Sequence, residues 1–362
     1  MEPTWLRLRS APELQRTYLL RSKVIKAIRV FFDAQQFEEV ETPLLVAAPG
    51  MEPYLDVFET RLTTARGRSF RAFLTTSPEY AMKKLLVAGL PRIYQICKSF
   101  RNGEEISRGH NPEFTILEWY RAHADSDSDS DSDYRAIMAD CENLFVAIWR
   151  TLHPDAGADA EPTLIVGVGN ERIALAPPWE RLSVREAFER YAGFDLDGVR
   201  DTEAMHRLLI SRGYQVADST TWEQGYHQIF LNEIEPHLGR SAPTILYDYP
   251  ASMAALARRK ADDPRYAERF EFYIAGVELG NAFSELTDAD EQQARLEDER
   301  AERAALGKTM YEIDADFIRA LRVGMPPSAG IAVGVDRIVM LFAQADTIQE
   351  TLWFPADEIF GA

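Results

Sequence analysis

The pattern of apolar and polar positions that organises the chain lies at Phe114-Thr115-Ile116-Leu117-Glu118-Trp119-Tyr120. A two-residue period puts Phe114, Ile116, Glu118 and Tyr120 on one face and Thr115, Leu117 and Trp119 on the other. The second face suits a core. The first joins aromatic rings to a carboxylate, and an unpaired carboxylate is expensive to cover, so this face reads as a ligand floor. The preceding loop, Arg101 to Asn111, carries Arg101, Glu104, Glu105, Arg108 and His110. A forked guanidinium there suits a phosphate or carboxylate.

The rest of the pattern supplies helices and strands around this stretch. Apolar positions from residue 13 to Phe32 recur at helical spacing and predict a long amphipathic helix. It leads to a strand near Val40 that ends at Pro43, a residue suited to an edge or a subunit boundary. Phe70 to Thr75 reads as a strand, with Thr76-Ser77-Pro78-Glu79 opening a helix over Tyr80 to Gly89. Ile93 to Phe100 is a strand feeding Arg101. Ile137, Cys141, Leu144, Phe145, Ile148 and Leu152 form a helical core stripe. Residues 153–250 yield helices such as Val184 to Tyr191 and Met205 to Arg212 and no assignable constellation. Asp288 to Lys308 reads as a charged helix with a solvated face.

Two later segments carry chemistry. A two-residue turn at Ala275-Gly276 pairs Ile274 with Val277 and Tyr273 with Glu278. Glu271 and Glu278 then share a sheet face, where two carboxylates repel unless a metal or a basic group joins them. In Gly330-Ile331-Ala332-Val333-Gly334-Val335 the branched residues face a core, and the small ones let a ligand approach the backbone. Asp336 and Arg337 open an apolar helix, leaving a guanidinium able to stack on a planar ring.

Composition narrows the class. The 362 residues are 46% hydrophobic and 27% charged, ordinary for a globular protein, and no apolar run reaches the roughly 20 residues that span a bilayer. The N-terminus lacks a secretion signal, so a cytoplasmic location is expected and no membrane partner. A net charge of −18 argues against holding nucleic acid by its phosphates. Part of that charge lies in an Asp-Ser tract over residues 125–133, which reads as a disordered acidic loop. Cys97 and Cys141 are too few for a disulfide framework. Gly307-Lys308-Thr309 lacks the first glycine of a P-loop, Gly167-x-Gly169 lacks the last of a dinucleotide fingerprint, and no serine nucleophile elbow occurs.

Phe100-Arg101-Asn102, His110-Asn111-Pro112-Glu113-Phe114-Thr115 and Gly330-x-Ala332-x-Gly334-x-Asp336-Arg337 resemble the second and third signature motifs of class II aminoacyl-tRNA synthetases. Helix 13–32 with the Pro43 strand resembles the first. The run RFEFYIAGVELGNAFSEL and Ser77-Pro78-Glu79 are similar to the lysyl enzymes. Fewer than about forty residues precede the first motif, leaving no room for an N-terminal anticodon-binding barrel. Ala332 and Ser77, where lysyl enzymes have Gly and Ala, are similar to their truncated paralogues, which join (R)-β-lysine to elongation factor P.

The resemblance implies an α+β class II synthetase-like catalytic domain over 1–362, an antiparallel sheet flanked by helices, acting as a homodimer without tRNA. It implies ATP and Mg²⁺, with a lysine ε-amine of elongation factor P as acceptor. Arg101 would be catalytic, bridging the substrate carboxylate and the α-phosphate. Asn102, Glu104, His110, Asn111, Phe114, Glu278, Leu279, Gly334 and Arg337 would join Arg101 in holding ATP, with Phe114 and Arg337 sandwiching adenine. An extra residue at Gly103 leaves Glu104 and Glu105 as alternatives for adenine. Glu271 and Glu278 would hold the metal. Ser77, Pro78, Glu79, Glu118, Tyr120, Glu285 and Ala332 would form the pocket for β-lysine. The alternatives are a stand-alone lysyl-tRNA synthetase, an asparagine synthetase of the same fold, and an inactive synthetase-like module.

Overall fold

The computed structural model describes residues 4–104, 106–122, 133–166 and 171–361. Its centre is an eight-stranded sheet. In spatial order the strands are Glu38–Glu39, Arg92–Phe100, Glu113–Ala122, Ser328–Gly334, Val277–Ser284, Tyr266–Ile274, Thr244–Pro250 and Glu180–Ser183. The six inner strands run antiparallel and the two edge strands pair in parallel. This is the expected α+β arrangement. Pro43 lies just beyond the edge strand, where its missing donor costs no ladder bond.

Alternation divides the sheet as the sequence indicates. Leu117, Trp119, Ile331, Val333 and Val335 are buried in one cluster with Val24, Ile28 and Phe32 of helix Pro12–Ala34 and Ile137, Leu144, Phe145 and Ile148 of helix Tyr134–Leu152. Helix Val335–Ala343 adds Ile338 and Val339 to the same layer. The other face holds Tyr120, Ile93 and Met51 against Leu86 of helix Glu79–Val87, Leu296 of helix Ala289–Ala305 and Phe317 of helix Ala315–Gly324. A third apolar cluster, with Leu182, Phe188, Met205, Tyr226 and Ile229, belongs to the segment that sequence reasoning left without a role.

The structure refines four sequence expectations. The turn at Ala275-Gly276 forms, with both residues in the left-handed region (φ 56° and 73°) and Tyr273 opposite Glu278. One step on, the register shifts so that Phe272 faces Gly280 and Glu271 faces Asn281, because the bulged chain buries Leu279 in the core. Helix Ala289–Ala305 is not merely a solvated face. Its Arg303 is fully buried and donates to the carbonyls of Glu52, Leu55 and Thr309. Finally, most of the Asp-Ser tract lies outside the described residues, but Asp133 at its end accepts from the Arg135 and Ala136 amides and caps helix Tyr134–Leu152.

Candidate active site

Above the second sheet face lies a cleft of about 520 Å³. The sheet supplies its floor: Phe114, Ile116 and Tyr120 from one strand, Gly330, Ala332 and Gly334 from the next, then Glu278, Asn281 and Phe283. Register makes these neighbours, since Tyr120 stands opposite Gly330, Glu118 opposite Ala332 and Ala332 opposite Asn281. A Cβ on Gly330 would come within 2.2 Å of the Tyr120 ring. Glycine there is the condition for the phenol to lie across the neighbouring strand.

One end of the cleft is cationic. Arg101 follows strand Arg92–Phe100 and places its guanidinium 5.2 Å from the Phe114 ring centre. Among the described residues its nearest carboxylate is Glu104 at 3.8 Å, and its Nε has no partner. Gly103 turns the loop with φ +69°, and a Cβ there would come within 2.9 Å of Asp56 Oδ2. The residue therefore fits between Arg101 and Glu104, while Glu105 lies outside the described residues. Arg337 donates to the Glu278 carbonyl at 2.7 Å and lies 3.3 Å from His110 Nε2. Burial first, then the Arg337 charge, holds the His110 pKa below its ordinary value. Neutral His110 thus offers Nε2 as an acceptor.

The two carboxylates expected to hold a metal differ in their partners. Arg269 donates to one oxygen of Glu271 at 2.7 Å, and the Tyr249 and Tyr273 hydroxyls donate to the other at 2.6 and 2.5 Å. A basic group thus already answers the repulsion that suggested a cation. Glu278 differs: burial and the Glu271 charge push its pKa up to about 7, and its nearest side-chain cation, Arg337, is 3.8 Å away. Its chemistry fits a divalent cation, whereas Glu271 fits as a partner only through lone pairs its donors leave free. Among the described residues no group of three or more His, Cys, Asp or Glu side chains has a metal-binding arrangement.

The other end is rich in carboxylates. Ser77 donates to one oxygen of Glu118 at 2.6 Å and Tyr120 to the other at 3.0 Å. Glu118 is completely buried, and burial, then the Glu79 charge, pushes its pKa up to about 8. Ser77 also accepts from the Glu79 amide, so one hydroxyl ties the helix start to the sheet. Pro78 sits at the N-cap of helix Glu79–Val87. Glu79 and Glu285 flank Lys83, a residue absent from the sequence expectations.

Some expected residues stand apart. Asn102 is exposed, pairs with Asp56 and does not line the cleft. The Asn111 amide is held by the backbone, donating to the Glu113 carbonyl and accepting from the Ala356 amide. Leu279 borders the cleft but packs mainly in the core. Conversely, Glu223, Tyr226, His227 and Phe230 form a wall that sequence reasoning missed. Helix Trp222–Ile229 opens on a Thr221–Gln224 capping box, which the sequence does display. Asp336 serves as a structural tie: Arg21 donates to it at 2.5 Å and the Thr115 amide at 2.8 Å.

The sequence pattern of the class II tRNA synthetases (D, K and N) matches residues 1–358. The chain belongs to this family. It is 39% identical over 344 residues to the elongation factor P–(R)-β-lysine ligase of Hamiltonella defensa subsp. Acyrthosiphon pisum, covering 94% of each chain. It is 36% identical over 347 residues to the lysine–tRNA ligase of Moorella thermoacetica, covering 95% of this chain and 66% of that one. Both relatives are named ligases. The carboxylate-rich end of the cleft is chemically suited to a positively charged group. No helix among the described residues is long and apolar enough to cross a membrane.

Proposed function

We propose that the protein activates (R)-β-lysine with ATP and transfers it to a lysine ε-amine of elongation factor P. The observation that carries this reading is the polarity of the cleft, with Arg101 at one end and Glu79 and Glu285 at the other, while Glu118 is buried and held by Ser77 and Tyr120. A diamino acid has the matching polarity: one carboxylate and two ammonium groups. The 39% identity across 94% of a relative named as such a ligase supports the choice of substrate and acceptor. So do Ser77 and Ala332, which meet Glu118 by hydrogen bond and by strand pairing.

The chemistry follows from positions. A substrate carboxylate oxygen attacks the α-phosphorus, pyrophosphate leaves, and Arg101 stabilises the charge that builds on the phosphoryl oxygens. The acceptor amine then attacks the acyl carbon, AMP leaves, and the amine's proton passes to solvent or the departing phosphate. No side-chain nucleophile is required, so the rate comes from orientation and electrostatics. Phe114 and Arg337 offer two plates for adenine, with Glu104 and His110 at its edge. Glu278, with Glu271 behind it, would hold Mg²⁺, which neutralises phosphate charge when bound.

Isotope exchange between pyrophosphate and ATP tests the activation step. Exchange is expected with β-lysine at lower concentration than with α-lysine. Exchange with α-lysine alone, followed by efficient tRNA charging, would establish the lysyl-tRNA synthetase reading instead.

A further inference from the structure

Lys83 is 2% exposed, an unusual place for an ammonium group. It lies one helical turn after Glu79 and donates to its Oε1 at 2.5 Å. Its Nζ is also 2.5 Å from Glu285 Oε2, an ion pair without hydrogen-bond alignment. Glu285 is 2% exposed, and its other oxygen has no partner. That oxygen would lie 3.0 Å from a Cβ on Gly330, beside the Tyr120 ring, so it faces the floor of the cleft.

We propose that Lys83 is a positioning residue of the amino-acid pocket: a resident ammonium that bridges Glu79 and Glu285, occupies one oxygen of each, and leaves room there for a single substrate ammonium. The inference rests on the diamino-acid reading given above. Its logic is charge balance in a dry site. A buried carboxylate such as Glu285 takes up a proton more readily without a cation beside it, and a neutral acid holds an ammonium poorly. When Glu285 gives up its proton, the Lys83 charge offsets one of the two carboxylates and leaves the other to match one ammonium group. The second substrate ammonium must then sit elsewhere along the cleft, and an amino acid whose two amines lie at the wrong separation cannot satisfy both places.

The surroundings support that balance. From the sheet Glu118 interacts with Lys83 and Tyr120 with Glu79 and Glu285, and Glu52 and Glu299 interact with Glu79 from the Met51–Leu55 loop and helix Ala289–Ala305. From helix Ala315–Gly324 comes the Phe317 ring, its centre 6.0 Å from Nζ. Lys83 is the cation that contacts both Glu79 and Glu285. Burial still pushes Glu285 up to about 7 despite this contact, which indicates how little margin the carboxylate has.

The test is pyrophosphate exchange by Lys83→Met and Lys83→Arg across pH 7 to 8.5. For Lys83→Met the KM of the diamino acid is expected to rise about 10- to 100-fold at pH 7, the cost of losing charge-assisted binding, with the KM of ATP nearly unchanged. That defect should shrink as pH rises and Glu285 ionises, and Lys83→Arg should restore most of the binding. Should Lys83→Met fail to fold, the charge-balanced pair Glu79→Gln with Lys83→Met takes its place, with the same pH-dependent recovery expected. An unchanged KM, or a loss that is independent of pH and equal for ATP, overturns the role of Lys83. Absence of exchange with any lysine isomer in the unaltered protein instead overturns the functional reading on which it rests.

Discussion

Arg21 and Asp336, 315 positions apart, form a buried ion pair at 2.5 Å that also engages Thr115, whose amide donates to Asp336 and whose hydroxyl accepts from Arg21. The first long helix, the floor strand and the last sheet strand's helix meet at this point. Arg337, the next residue, inherits its position. Removing one member of a buried pair strands the other, so Arg21→Met is expected to cost about 3–5 kcal/mol. Denaturant unfolding measures it, and a loss below about 1 kcal/mol would show that the pair does not hold these motifs together.

Gly330 faces the Tyr120 ring with no room for a methyl group. Gly330→Ala should swing the phenol away from Glu118 and raise the KM for the amino acid while leaving the KM for ATP within about twofold, because the nucleotide end is supported by other strands. Steady-state exchange kinetics separate the two constants. Equal changes in both would mean that the ring is not part of the amino-acid pocket.

Glu278 lacks the three donors that hold Glu271. Glu278→Gln is therefore expected to raise the Mg²⁺ concentration needed for half-maximal exchange and to lower the maximal rate by about 10²-fold or more. Glu271→Gln should instead reduce stability, since it removes the charge paired with Arg269 and one of the two oxygens that accept from Arg269, Tyr249 and Tyr273. A Mg²⁺ titration of each variant, with thermal melts, distinguishes these outcomes.

Glu118 binds its proton more tightly in the folded chain, with its pKa pushed from 4.5 to about 8. Between those values the folded state holds a proton that the unfolded state has released. This group's contribution therefore favours folding toward the acid side and fades as pH rises through about 8. Ligand-free protein should melt progressively lower from pH 5 to pH 8, and Glu118→Gln should flatten that slope. An identical slope in the variant would assign the pH dependence to other carboxylates. Substrate has the opposite preference, because an ammonium group is held better by the ionised form.

Much of the site's scaffold is legible in the sequence because alternation and turn chemistry are local. Phe114, Ile116 and Tyr120 line the cleft and Leu117 and Trp119 the core as their period requires, although Thr115 also borders the cleft and Glu118 is buried out of it, and Ala275-Gly276 closes the hairpin. What escapes is set by tertiary packing. The bulge at Leu279 depends on a core pocket that no local pattern reveals. Lys83 reads as one polar residue of an amphipathic helix, although its spacing from Glu79 hints at a pair. Helix Trp222–Ile229 shows its capping box in sequence, but only the chain's return across the sheet places Tyr226 and His227 at the cleft.

We also propose a homodimer. Trp353, Phe354, Ile359 and Phe360 are exposed beside a groove that Phe58, Leu74 and Phe100 help to line, an apolar surface suited to a second copy. Light scattering should give twice the chain mass, and Phe354→Asp should shift it toward the monomer. A monomer at all concentrations would remove the dimer from the account.

The central claim is the transfer of a diamino acid to a protein amine. Intact-mass spectrometry of elongation factor P, after incubation with the enzyme, ATP, Mg²⁺ and each lysine isomer separately, tests it most directly. The account predicts the gain of one lysyl mass with (R)-β-lysine, lost when Arg101 is replaced by Ala. An unmodified factor under conditions where the same enzyme charges tRNA would contradict it.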